Sequence, residues 1–121
     1  MSHHVLLVED SSLVTDALRT LFEQTGRRVS VAPTVSAAVE ACVGDMPDLV
    51  LLDLTLPDGD GLSLFDELKS RGLTPTTVVA MTGHDDPRVR ARCLEAGCRE
   101  VLVKPVSIRE LLRRVDAWVG V

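Results

Sequence analysis

No apolar run in the sequence approaches the roughly 20 residues that a membrane-spanning helix requires, and no secretory signal opens it. A soluble cytoplasmic protein without membrane contact is expected. Basic residues are the minority: 13 Lys and Arg stand against 18 Asp and Glu, a formal net charge of -5. Phosphate backbones demand clustered cations, so direct nucleic-acid binding is not expected. Cysteine is sparse and odd in number. Cys42, Cys93 and Cys98 fall at no zinc-ligand spacing and read as buried or incidental thiols. A glycine-rich loop of the P-loop or dinucleotide type is missing, which argues against nucleotide binding. Linkers, internal repeats and low-complexity segments are also absent, so residues 1–121 are expected to form one domain.

What is there is a strict alternation. Five strand-like segments, HVLLV (4–8), VSVA (29–32), LVLLD (49–53), TVVAMT (77–82) and EVLVK (100–104), are separated or followed by helical patterns. Val14, Ala17, Leu18, Leu21 and Phe22 form one apolar stripe. Val35, Ala38, Val39, Cys42 and Val43 form a second, and Leu64, Phe65 and Leu68 a third. The last stripe is the clearest: Ile108, Leu111, Leu112, Val115, Trp118 and Val119, with Ser107 and Glu110 spaced as a capping box at its start. Asp86-Pro87 starts a fourth helix that Gly97 ends. That helix has a poor apolar stripe and is expected to be the least firmly held.

Alternation of this kind predicts an α/β fold, a parallel sheet doubly wound with five helices. Segments one, three and four are continuously apolar, as interior strands are. Segments two and five alternate, as edges do. The expected order is 2-1-3-4-5, a flavodoxin-like sheet whose switch point lies between strands one and three.

Ligands of such sheets bind beyond the carboxyl ends of the strands. There the sequence places Glu9-Asp10 after strand one, Asp53 at the end of strand three, Thr82 after strand four, and Lys104-Pro105 after strand five. Three crowded carboxylates repel one another, and a hard divalent cation relieves the repulsion. Mg²⁺ fits, because it takes one or two carboxylates and retains waters and phosphate oxygens. Asp10 and Asp53 are expected as direct ligands, Glu9 through a water, and Thr55 through its backbone carbonyl. Lys104 then lies opposite the metal, and the space between suits a phosphoryl group to which Thr82 donates a hydrogen bond. A carboxylate in that position can itself be the nucleophile.

Each of these residues has a plainer role in isolation. A lone acid at a strand end is usually a cap, Thr82 alone an N-cap, and Lys104 alone a solvated charge. Four matching strand ends together outweigh those readings. A calcium loop at Asp58-Gly59-Asp60-Gly61 fails, because Leu62 takes the next alternate position and the bidentate Glu is not in place. The stretch reads instead as turn chemistry leading into the third helix. The His3-His4 pair suggests no function.

LLVEDS (6–11), LLDLTLPDGDGL (51–62), VVAMTG (78–83) and EAGCREVLVKPV (95–106), in that order, resemble the receiver domain of two-component response regulators across essentially the whole chain. The resemblance implies a signalling domain rather than a conventional enzyme. It takes a phosphoryl group from a histidine kinase or phosphotransfer domain and promotes its own phosphorylation and dephosphorylation. Carried over, Asp53 is the phosphoacceptor, Glu9 and Asp10 the acidic metal pair, Thr82 the switch hydroxyl and Lys104 the phosphoryl-pairing lysine. The Lys104-Pro105 peptide is expected to be cis, as in the family. Leu13 on the first helix is a natural anchor for the docking kinase.

One departure from the family stands out. Val101 occupies a position, three before the lysine, where the family commonly has Tyr or Phe, and valine lacks comparable inward and outward rotamers. The response to phosphorylation is therefore expected to be smaller or to take another form. Thr55 and His84, two residues after Asp53 and Thr82, are placed to flank attacking water and tune phosphoryl lifetime. Two other classes compete with the receiver reading. A phosphate-independent interaction module would usually have lost a site residue, and all five are present. An aspartate-nucleophile phosphatase would want an acid at position 55, where Thr stands. A stand-alone receiver and a receiver within a longer chain both fit the sequence.

Overall fold

The computed structural model describes residues 3–119. Its main sheet consists of β1 (His4–Val8), β2 (Arg28–Ala32), β3 (Leu49–Asp53), β4 (Val78–Thr82) and β5 (Glu100–Val103), all parallel, in the order β2-β1-β3-β4-β5. Five helices connect or follow the strands: α1 (Ser12–Gln24), α2 (Val35–Gly44), α3 (Ser63–Ser70), α4 (Pro87–Ala96) and α5 (Ile108–Val119). The doubly wound flavodoxin-like sheet expected from the alternation is therefore the fold. Every residue of β1, β3 and β4 is buried, whereas the edge strands β2 and β5 are partly open.

Side chains alternate across the sheet with a period of two. Leu6, Val8, Val50, Leu52, Val78 and Ala80 face α2, α3 and α4, and Val5, Leu7, Leu49, Leu51, Val79 and Met81 face α1 and α5. The α1 stripe differs from the expected one. Thr15, Leu18 and Phe22 are its buried residues, while Val14 and Ala17 are exposed on the rim. Thr15 satisfies its hydroxyl by donating to the Ser12 carbonyl at 3.2 Å, which lets a polar residue take an inward position. On α5, Leu111, Val115 and Trp118 are buried, and Ile108 is exposed at the site end.

The helix ends largely follow the sequence signals. Asp86 caps α4 through the Arg88 N–H with Pro87 in the first turn, and Gly97 closes the helix at φ +118. Any other residue at 97 would be strained in backbone, and its Cβ would press on the Phe65 ring from 3.2 Å. Only half of the capping box on α5 forms. Ser107 Oγ accepts from the Glu110 N–H at 3.3 Å, but the Glu110 carboxylate pairs with Arg113 instead of reaching back. As expected, α4 has a thin apolar anchor, with Cys93 its one buried residue. Cys42, Cys93 and Cys98 are free, buried thiols, and burial pushes Cys98 up to about 12, which makes it inert.

A two-residue antiparallel ladder, Thr55–Leu56 against Gly59–Asp60, follows β3. It carries the chain from Asp53 to α3, and no sequence pattern announces it.

Candidate functional site

The register of the sheet brings the acidic rim together. Val8 is level with Leu52, and Asp53 with Met81, so Glu9 emerges level with Asp53 at the neighbouring carboxyl ends of β1 and β3. The two-residue period then sorts the side chains. Glu9, Asp53 and Lys104 are in phase with Leu7, Leu51 and Leu102, on the α1/α5 side. Thr82 is in phase with Val78 and Ala80, on the α4 side. The geometry obeys this division. Lys104 Nζ lies 3.2 Å from Glu9 Oε1 and 3.2 Å from Asp53 Oδ2. Thr82 Oγ1 instead accepts from the His84 N–H at 3.1 Å, within its own loop.

Carboxylate oxygens of Glu9, Asp10 and Asp53 all lie within 4.8 Å of one another. Glu9 and Asp53 are buried, at 3% and 5% exposure, and Asp10 is exposed. Burial, followed by the adjacent Asp53 carboxylate, pushes Glu9 up to about 7. At Asp53, burial also works against the charge. The Glu9 carboxyl, the Thr55 N–H at 3.0 Å and the Lys104 ammonium outweigh it and hold Asp53 below the usual carboxylate range. Burial likewise opposes the Lys104 charge, and the two acids more than compensate, so its value is raised. The Lys104-Pro105 peptide is cis.

One ammonium balances three carboxylates incompletely, and Glu9 Oε2 is buried without a hydrogen-bond partner. A hard divalent cation fits that donor set, because it takes oxygen ligands and removes the mutual repulsion. Asp10, Asp53 and Glu9 are the carboxylates brought together there. The loop after Asp53 is itself tightly placed. Gly61 lies so close that a Cβ would sit 2.2 Å from the Asp53 carbonyl oxygen, and its N–H donates to the Leu54 carbonyl at 2.9 Å. Asp58 accepts from the N–H groups of Val35 and Ser36 at 2.9 and 3.1 Å, which ties the loop to the start of α2. Asp60 is bonded to Arg92 of α4 at 2.5 Å. Spacing alone could not reveal these partners, which lie 22 to 32 residues away. Val101, by contrast, is buried in the core on the α4 side.

A five-stranded 2-1-3-4-5 sheet with an acid–lysine rim at its switch point is the architecture of a signalling receiver. The chain belongs to the response regulator receiver domain family, whose profile matches residues 5–116. It is thus a receiver domain of two-component response regulators, a family of phosphoacceptor signalling domains. It is similar to the TorCAD operon transcriptional regulatory protein TorR of Escherichia coli K12, with 36% identity over 115 residues, 95% of this chain and 49% of the relative. It is also similar to the phosphate regulon transcriptional regulatory protein PhoB of the same organism, with 32% identity over 120 residues, 97% of this chain and 52% of the relative. The chain thus spans about half the length of the curated relatives it matches.

Solved structures agree. The non-phosphorylated HemR receiver domain from Leptospira biflexa superposes with a TM-score of 0.88 at 31% identity, covering 99% of this chain and 96% of that one. The receiver domain of the sensor histidine kinase PA1611 from Pseudomonas aeruginosa, which holds a magnesium ion in its active-site cleft, gives 0.84 at 28% identity with full coverage of both chains, 100% and 100%. Among the described residues, no helix is long and apolar enough to cross a membrane.

Proposed function

We propose that Asp53 accepts a phosphoryl group from the phosphohistidine of a histidine kinase or phosphotransfer domain. The observation that carries this is a buried, ionised Asp53 within 3.2 Å of the Lys104 ammonium and beside two further carboxylates. An Asp53 carboxylate oxygen attacks phosphorus, the P–N bond breaks, and the imidazole leaves with the electron pair and takes a proton from solvent. Lys104 pairs with the incoming negative charge, and Thr82, once its loop bond to His84 opens, donates to a phosphoryl oxygen. Asp10 and Asp53 would hold Mg²⁺ directly, with Glu9 acting through a water and Thr55 through its carbonyl. The metal supplies Lewis-acid neutralisation of the phosphoryl oxygens. The protein's contribution is positioning and charge compensation, which dominate phosphoryl transfer. The same groups serve hydrolysis of the aspartyl phosphate, with Thr55 and His84 flanking the water's approach.

The donor docks along α1. An apolar groove of about 580 Å³ between α1 and α5 adjoins the site through Lys104 and Pro105, and is lined by Leu13, Val14, Ile108 and Leu111 among others. Leu13 is 82% exposed at its edge. A cytoplasmic location goes with that partner. Incubation with Mg²⁺ and acetyl phosphate tests the chemistry. One phosphoryl mass gain is expected in the wild type and none in Asp53→Asn. No gain in either would favour an interaction module, and turnover of a phosphomonoester would favour a phosphatase.

A further inference from the structure

The ladder after β3 connects Asp53 to α4 by a short series of contacts. Thr55 donates its N–H to Asp53 Oδ1 at 3.0 Å. Thr55 pairs with Asp60 across the antiparallel ladder. Asp60 Oδ2 meets Arg92 Nη2 at 2.5 Å, while Asp60 Oδ1 accepts the Leu62 N–H at 2.9 Å and its carbonyl accepts the Ser63 hydroxyl at 2.7 Å. Gly61 then packs its backbone directly on the Asp53 carbonyl. A displacement of Asp60 therefore reaches Asp53 from two directions: through the Thr55 N–H that it helps to place, and through the Gly61 backbone that presses on the Asp53 peptide.

We propose that Arg92 is a positioning residue for Asp53: from α4 it holds Asp60, and through the Thr55–Asp60 ladder it fixes the N–H that binds the Asp53 carboxylate. The proposal rests on Asp53 being the acceptor and names what positions it. Two features of the fold support it. Helix α4 has one fully buried residue, Cys93, and the Asp60–Arg92 pair joins it directly to the acceptor loop. Val101 lies in the core in place of an aromatic switch, so the ladder offers a separate mechanical path between the acceptor and α4. The coupling is reciprocal: whatever shifts α4 also shifts Asp53, and a phosphoryl group on Asp53, by competing for the Thr55 N–H, loosens the hold on α4.

The ion pair is solvent-accessible, with both side chains about half exposed, so a modest effect is expected, roughly two- to fivefold in the phosphorylation rate. The test follows the phosphoryl mass gain from acetyl phosphate with Mg²⁺ in wild type, Arg92→Ala, Arg92→Lys and Asp53→Asn, together with the backbone amide resonance of Thr55. Arg92→Ala should slow phosphorylation by about that factor, move the Thr55 amide, and leave the unfolding midpoint in urea nearly unchanged. Arg92→Lys should restore most of the rate, because an ammonium can still meet Asp60. Equal rates with an unmoved Thr55 amide in Arg92→Ala would overturn the proposal. So would a rate loss that merely tracks a lower unfolding midpoint. If Asp53→Asn were phosphorylated as fast as wild type, or if nothing were phosphorylated, the acceptor assignment would fail. The Thr55 amide would still decide whether Arg92 reaches the loop.

Discussion

Magnesium binding to the rim should displace a proton at mildly acidic pH, and Glu9 should be its source. Burial and the neighbouring Asp53 hold Glu9 at about 7 in the metal-free protein, whereas a cation requires the carboxylate form. If the bound form has an ordinary carboxyl value, the apparent Kd is multiplied by 1 + 10^(7 − pH). That factor is about 11 at pH 6, about 2 at pH 7 and about 1.1 at pH 8. Affinity should therefore weaken about tenfold from pH 8 to pH 6, with about 0.9 proton released per metal at pH 6 and about 0.1 at pH 8. A Glu9 left at its ordinary 4.5 would change affinity by only about 3% at pH 6.

Calorimetry at both pH values, in two buffers of different ionisation enthalpy, separates the cases, because the buffer dependence of the heat counts released protons. Glu9→Gln should lose that dependence. Equal affinities at pH 6 and pH 8, with heats independent of buffer, would refute the reasoning. The folded state without metal carries the complementary signature. Because Glu9 is raised above its unfolded value, its contribution to stability is full below about pH 4.5 and is lost as pH rises through about 7. Asp53 is held low, so its contribution is present above its ordinary value of 3.8 and disappears as pH falls below that. Addition of Mg²⁺ should reverse the Glu9 part, stabilising the protein most at high pH.

The other predictions concern neighbouring groups and the core. Lys104→Ala should leave Mg²⁺ binding in place but move the proton release to higher pH, since the ammonium is what pulls Glu9 down; buffer-dependent calorimetry reads this directly. Gly61→Ala should slow phosphorylation by acetyl phosphate more than it changes Mg²⁺ affinity, because its methyl would collide with the Asp53 carbonyl; mass-gain kinetics beside a metal titration distinguish the two. Substituting Thr55 or His84 should change the lifetime of the phosphorylated form without altering how many phosphoryl groups it accepts, as timed by its decay after the donor is removed. Leu68→Ala, at a fully buried position on α3, should destabilise the fold by about 2–5 kcal/mol, measured by urea unfolding.

The sheet was legible because its signals are local. A run such as LVLLD is apolar on both faces and five residues long, which suits only an interior strand in this alternation, and RRVSVA mixes polar and apolar residues because the edge strand it forms is only partly covered. The site was legible for a related reason. A parallel sheet brings strand ends together, so residues far apart in sequence could be assigned to one rim from strand position alone. Two-residue strands have no periodicity, so the Thr55–Leu56 and Gly59–Asp60 ladder left no pattern to read. The acids of the acceptor loop read only as turn formers, because their partners, the first N–H groups of α2 and the guanidinium of Arg92, depend on how helices pack after the chain has folded. Thr15 takes an inward position that hydrophobicity would assign to Val14, because its hydroxyl finds a carbonyl within its own helix. Thr82 sits at the rim as expected, but the strand period turns it toward α4, and its hydroxyl bonds to the His84 backbone rather than to the acids.

The lone indole of the protein is at the far end of the sheet from the acids. Trp118 is 4% exposed, donates its ring N–H to Glu100 at 2.8 Å, and is covered by the Arg114 guanidinium 5.5 Å from the ring centre. Its emission should therefore change on denaturation and ignore occupancy of the rim. With no tyrosine to contribute, melting curves recorded by intrinsic fluorescence with and without magnesium or phosphodonor can be compared directly, since any shift between them reports ligand-linked stability and not quenching by the ligand.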